Sequence, residues 1–130
     1  MSSKYTVSVT YFAERYFIKK FQKKYKRAWD ITREALIKQL QNVDILFARS
    51  MAEVITSHES IKICKIEFSV AGTKKSRHSS GNRYIIAINT KEKNISVLLV
   101  YYKNHLGNGN ETANWKKMIK NNYAEYSYLM

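Results

Sequence analysis

The chain has 130 residues, ten tyrosines, one cysteine, no proline and a formal charge of +13. That length makes one domain with a modest core. The lone Cys64 excludes an internal disulfide framework and argues against a cysteine-based zinc site, and no apolar run approaches a membrane span. The start Met1-Ser2-Ser3-Lys4 lacks a signal-peptide pattern, so a cytoplasmic protein is expected. So much positive charge on one small domain points to a polyanionic partner, of which nucleic acid is the usual one. A solvated basic surface, or one matched to an acidic protein, is the alternative.

Tyr5 to Thr10 alternates and carries β-branched residues, which predicts a first strand. From Phe12 to about Lys26 the period becomes helical, with Ile18, Phe21 and Tyr25 on one face and Phe17 beside Phe21. Arg15, Lys19, Lys20, Lys23, Lys24, Lys26 and Arg27 crowd the rest of that helix against Glu14 alone. Such a run is either a solvated face or a track for phosphate. Asp30 is the expected N-cap of a second helix, with Glu34 in its first turn and Leu36, Leu40, Val43 and Phe47 as a core-facing stripe. The two helices should join near Ala28-Trp29. Ala48 to Ile55 reads as a short further helix, and Thr56 to Ser60 as a polar connector.

The stretch from Ile61 to Lys103 organises the chain. Ile61 to Phe68, Asn82 to Ile88 and Ile95 to Tyr102 are apolar runs rich in β-branched residues, which predicts three consecutive strands. Ala71 to Gly81 joins the first two as a loop of small residues carrying Lys74, Lys75 and Arg77. Thr90 to Asn94 has hairpin length. Leu106 to Asn110 is a loop, Glu111 to Lys120 reads as a terminal helix, and Asn121 to Met130 has no clear period. The order β-α-α-β-β-β-α predicts an α+β domain. Its small antiparallel sheet carries two N-terminal helices and a C-terminal one, and a long crossover returns the first strand to the sheet.

Alternation puts Lys65, Glu67 and Ser69 on one face of the central strand and Cys64, Ile66, Phe68 and Val70 on the other. His58, His78 and His105 lie far apart, no close carboxylate–histidine spacing marks a metal site, and no glycine-rich nucleotide motif occurs. Neither metal nor cofactor is expected. The remaining groups are cations, tyrosines, a strand carboxylate and a histidine, which can cleave RNA without a metal. The RNA supplies its own 2′-hydroxyl nucleophile, and the protein aligns it, stabilises charge and moves protons. An active surface is expected where the basic loop, Arg83 and the end of the last strand converge.

Lys65-Ile66-Glu67-Phe68, the basic loop, and Ser80-Gly81-Asn82-Arg83-Tyr84-Ile85-Ile86 resemble, in order and spacing, the RelE/HigB toxins of bacterial type II toxin–antitoxin modules. Leu98-Leu99-Val100-Tyr101-Tyr102-Lys103-Asn104 looks like the same family's L-L-x-[VI]-Y-x-K-N element. The chain departs from the family at Glu67, where many members carry a basic residue, at Ala87, where a tyrosine is common, and at Asn104.

The resemblance implies a single RelE-like domain over residues 1–130, acting as an endoribonuclease (mRNA interferase) that cuts mRNA on the ribosome and so inhibits translation. An antitoxin from an adjacent gene would block it. On this reading Lys65, Glu67, Arg83, Tyr102, Lys103 and His105 are candidate catalytic groups. Lys74, Lys75 and Arg77, with Lys19, Lys20 and Lys23, are candidate contacts to mRNA or rRNA. Each has a plainer alternative. Arg83 either binds phosphate or pairs with Glu67 across neighbouring strands. Glu67 is a base or that salt-bridge partner. Tyr102 stacks on a base or packs the sheet, and Lys65, Lys103 and His105 act or merely sit at the surface. A ParE-like gyrase inhibitor and a non-catalytic nucleic-acid-binding protein are the competing functions.

Overall fold

A computed structural model describes residues 4–130. Strand β1 (Thr6–Val9) leads through Thr10 into helix α1 (Tyr11–Ala13), whose first free amides are capped as the Thr10 hydroxyl accepts from the Ala13 amide at 3.1 Å. A π-helical stretch, Glu14–Ile18, carries the helix into α2 (Lys19–Tyr25). Lys26 then takes φ +53° and turns the chain into α3 (Arg27–Gln41), followed by α4 (Val43–Ala48). The joint therefore falls before Trp29, which is buried in the first turn of α3, and Asp30 lies in that turn rather than capping it.

Strands β2 (Ala52–His58), β3 (Ile61–Phe68), β4 (Asn82–Asn89) and β5 (Asn94–Tyr102) come next, then helix α5 (Glu111–Asn122) and a terminal 3-10 segment, Ala124–Leu129. The last three predicted strands and the terminal helix form where expected. The short helix expected over Ala48 to Ile55 does not. Helix α4 ends at Ala48, and Ala52 onward is an edge strand pairing antiparallel with β3. The expected polar connector is the end of that strand plus a tight turn at Glu59-Ser60, where Glu59 takes φ +54°.

The sheet has five strands in the order β1-β5-β4-β3-β2. It is mixed, because β1 runs parallel to β5 while the other neighbours are antiparallel. The helical crossover carries the chain from β1 at one edge to β2 at the other, and the three antiparallel steps from β2 to β5 then leave β5 beside β1 and running the same way.

Each sheet face packs its own core. On one face Cys64, Ile66, Phe68, Tyr84, Ile86, Val97 and Val100 meet Ile18, Phe21, Trp29 and Leu40 of the N-terminal helices. On the other, Ile63, Ile85, Ala87, Leu99 and Tyr101 meet Trp115 and Ile119 of α5, and Tyr123. Each large side chain so buried contributes roughly 1.5–3 kcal/mol. A bulge in β5 lets both faces stay apolar: Ile85 pairs with Leu99 but Ile86 with Val97, leaving Leu98 as the extra residue. Its carbonyl accepts from the Tyr123 hydroxyl at 2.6 Å, and that hydroxyl in turn accepts from Thr10 at 2.6 Å. Among the described residues, no helix is long and apolar enough to cross a membrane.

Candidate functional site

The C-terminal ends of β3 and β5 and the start of β4 meet at one end of the sheet. Two rows of side chains cross it there. Glu67, Arg83 and Tyr101 are successive register partners on the α5 face. Phe68, Asn82 and Tyr102 form the next row, on the face of the N-terminal helices. The predicted site residues divide between these two faces, because adjacent strand positions point oppositely.

On the α5 face, Arg83 is nearly buried and its Nη2 lies 2.9 Å from Glu67 Oε2. Its Nη1 donates to the Asn82 carbonyl at 3.1 Å. Glu111, in the first turn of α5, places Oε2 3.8 Å from Arg83 Nε and accepts from the Tyr101 hydroxyl at 2.7 Å. Burial, the Glu111 hydrogen bond and the nearby carboxylates all push the Tyr101 phenol upward, so it stays a donor. The cross-strand pairing with Glu67, one of the two alternatives for Arg83, is thus the arrangement found. The basic loop and the end of the last strand do reach Arg83, through His78 on the same Glu67 oxygen and through the arginine's register partner Tyr101, but Lys74 and Lys75 line a cleft that Arg83 does not. Lys65, one step along the same face, reaches Glu53 of β2 at 3.6 Å.

On the helix face a cleft of about 380 Å³ is lined by Lys24, Tyr25, Thr73, Lys74, Lys75, Ser80, Asn82, Tyr102 and His105. A shallower depression, lined in part by Lys20 and Phe21, adjoins it along α2. No carboxylate lines either one, so the field there has one sign. The basic loop is held rather than loose. The Ser80 hydroxyl lies 2.5 Å from the Phe68 carbonyl and accepts from the Asn82 amide at 3.1 Å. The Ala71 amide donates to Thr32 of α3, and Thr73 folds back on the Val70 carbonyl. Lys74 and Lys75 thus project from an anchored frame. The Tyr102 and His105 rings meet edge to face, 5.1 Å between centroids.

Gly81 sets how closely the loop approaches this rim. It takes φ +77°, and a Cβ there would stand 2.8 Å from the Tyr102 ring. Its carbonyl accepts from the Lys103 amide at 2.8 Å, tying loop end to strand end. Lys103 itself is exposed in the following turn.

Lys74, Lys75, Tyr102 and His105 thus line one cleft, and Lys20 lines the depression beside it. Lys19 and Lys23 are exposed on α2 but do not line it, and Arg77 lines a separate groove with Ile31, Ala35 and Met51. Lys24, Tyr25, Thr73, Ser80 and Asn82 belong to the cleft without having been singled out as contacts. The helix spacing carries no signal for this, because Lys19 and Lys23 share the i, i+4 spacing of Lys20 and Lys24. His78, also not singled out, places Nδ1 2.7 Å from Glu67 Oε2. Among the described residues no group of three or more His, Cys, Asp and Glu side chains is placed to hold a metal.

Compared with known proteins, the chain matches no family profile, no curated protein and no solved structure.

Proposed function

We propose that the chain is a RelE/HigB-like toxin that cleaves mRNA, acting on the ribosome and held in check by an antitoxin from an adjacent gene. The observation that carries this reading is the cleft beside Tyr102: lysines from two elements, two tyrosines and a histidine, with no carboxylate, at the end of the sheet. Lysines there bind the backbone, an aromatic ring offers a stacking surface for an unpaired base, and the His105 imidazole offers a group for proton transfer. The helical crossover before a run of consecutive antiparallel strands accords with the RelE-like layout, as does the spacing of Lys65-Ile66-Glu67-Phe68 and Ser80-Gly81-Asn82-Arg83.

In this reading the RNA backbone lies along Lys20, Lys24, Lys74 and Lys75, and Tyr102 and His105 border the reacting phosphate. The 2′-oxygen attacks phosphorus, and the protein supplies alignment and positive charge. Arg83 acts from beneath, by fixing Glu67 and the strand ends. Induced expression should halt translation and leave mRNA cut within codons. Intact mRNA with arrested DNA replication would move the assignment to gyrase inhibition, and harmless expression would leave a binding protein only.

A further inference from the structure

We propose that His78, oriented by Glu67, is the general base that takes the proton from the attacking 2′-hydroxyl; the assignment rests on the RNA-cleaving function proposed above. His78 stands on the basic loop, largely exposed, with Nδ1 2.7 Å from Glu67 Oε2. That carboxylate oxygen also accepts from Arg83 Nη2 at 2.9 Å. A carboxylate beside a permanent cation only accepts hydrogen bonds, so the imidazole Nδ1 must carry the hydrogen. The neutral ring then presents the lone pair of Nε2 outward. A base within reach of solvent, held in one tautomer by a carboxylate that is itself held by a third group, is the arrangement proton abstraction requires.

The Gly81 amide lies 3.5 Å from the His78 carbonyl, and the Gly81 carbonyl accepts from the Lys103 amide at 2.8 Å. His78 bonds Glu67 of the row on the α5 face and His105 lines the cleft on the helix face, so the two flank the strand end from opposite faces. With an RNA strand crossing that end, the step balances in atoms and protons. The 2′-hydroxyl gives its proton to His78 Nε2, the 2′-oxygen to phosphorus bond forms, and the phosphorus to 5′-oxygen bond breaks. His105 in its protonated form gives a proton to the departing 5′-oxygen. The products are a 2′,3′-cyclic phosphate and a free 5′-hydroxyl, with no oxidant, reductant or added nucleophile.

The groups around His78 are Glu67 of β3 in contact with it, Arg83 of β4 behind that carboxylate, and Arg77 next to it in the chain, with Tyr101 of β5 and Glu111 of α5 one contact further. The test is single-turnover cleavage of an mRNA oligonucleotide, free and on programmed ribosomes, across pH, by the wild type, His78→Gln and His105→Gln. The 15N shifts of the His78 ring are read in the wild type. The expected results are a cyclic-phosphate end, a loss of roughly 10²-fold in His78→Gln together with the limb that falls toward acid pH, and retention of that limb in His105→Gln. His78→Gln cleaving at the wild-type rate with an unchanged profile overturns the assignment while leaving the nuclease intact. So does a resting His78 protonated on Nε2 alone. A wild type that cleaves no RNA in either setting overturns the function itself, and this assignment with it.

Discussion

Glu67 and Arg83 are register partners on adjacent antiparallel strands, and their side chains meet at 2.9 Å beneath the first turn of α5. The arginine side chain is 6% exposed and the glutamate side chain 22%. Few places in the chain remove a full charge so far from water, so the pair is held by mutual compensation.

Removing one partner should therefore act on stability first. Arg83→Ala leaves Glu67 and Glu111 facing one another over a low-dielectric gap. A loss of about 3 kcal/mol in urea unfolding is expected. Replacing both partners, as Arg83→Met with Glu67→Leu, should recover most of it. An Arg83→Ala midpoint equal to that of the wild type would show that the pair is solvated after all.

The cleft makes a prediction about salt. Lys24→Gln, Lys74→Gln and Lys75→Gln combined should weaken binding of a single-stranded RNA oligonucleotide. The slope of log affinity against log salt should fall by about 2, the loss expected for three single-strand phosphate contacts. The same changes at Lys19, Lys23 and Lys26, away from the cleft, should alter it less. Equal slopes for both triple variants would mean that the cleft is not where the backbone lies.

Alkali should reveal the core. Burial pushes the Cys64 thiol up to about 12, against a smaller opposing pull from Lys62, and burial also pushes the Tyr123 phenol up to about 12. Both groups keep their protons in the folded state at pH values where the unfolded chain has lost them. Their contribution is fully present below the unfolded thiol's value near 8.5 and is lost as pH rises toward the folded values. Stability should drop by roughly 1 kcal/mol per pH unit above about pH 9 from the thiol alone. Cys64→Ala, though less stable at pH 7 through its cavity, should show a shallower decline. An identical decline in both proteins would assign the alkaline loss elsewhere.

The sequence announces some of this architecture and hides the rest for identifiable reasons. Strands β3, β4 and β5 are legible because long β-branched runs have few other uses. Strand β2 is not, because its register slips between Val54 and Thr56 and breaks the alternation a reader would look for. The π-helical turn at Glu14–Ile18 does the same to the first helix. It adds a residue to the turn and rotates all of α2 about its axis, so the basic residues that face the cleft and the depression beside it, Lys24 and Lys20, cannot be told by simple counting from Lys19 and Lys23. The Glu67–Arg83 pairing is set by hairpin-like register, but the approach of Glu111 depends on where α5 docks, which no local pattern encodes. The positions expected to converge on one surface straddle two because the motif Asn82-Arg83 spans adjacent residues of a strand, and such neighbours always part company across the sheet.

The parallel seam between β1 and β5 has a consequence for biosynthesis. Thr6 must wait for Asn94, and Val9 for Val97, before either strand has its partner. The helices and the hairpin of β2 and β3 can form as the chain emerges, but the sheet closes only after β5 has cleared the exit tunnel. Until then Tyr102 and His105 have no rim to border. The cleft of a nascent chain of this design therefore forms late, only once β5 is in place.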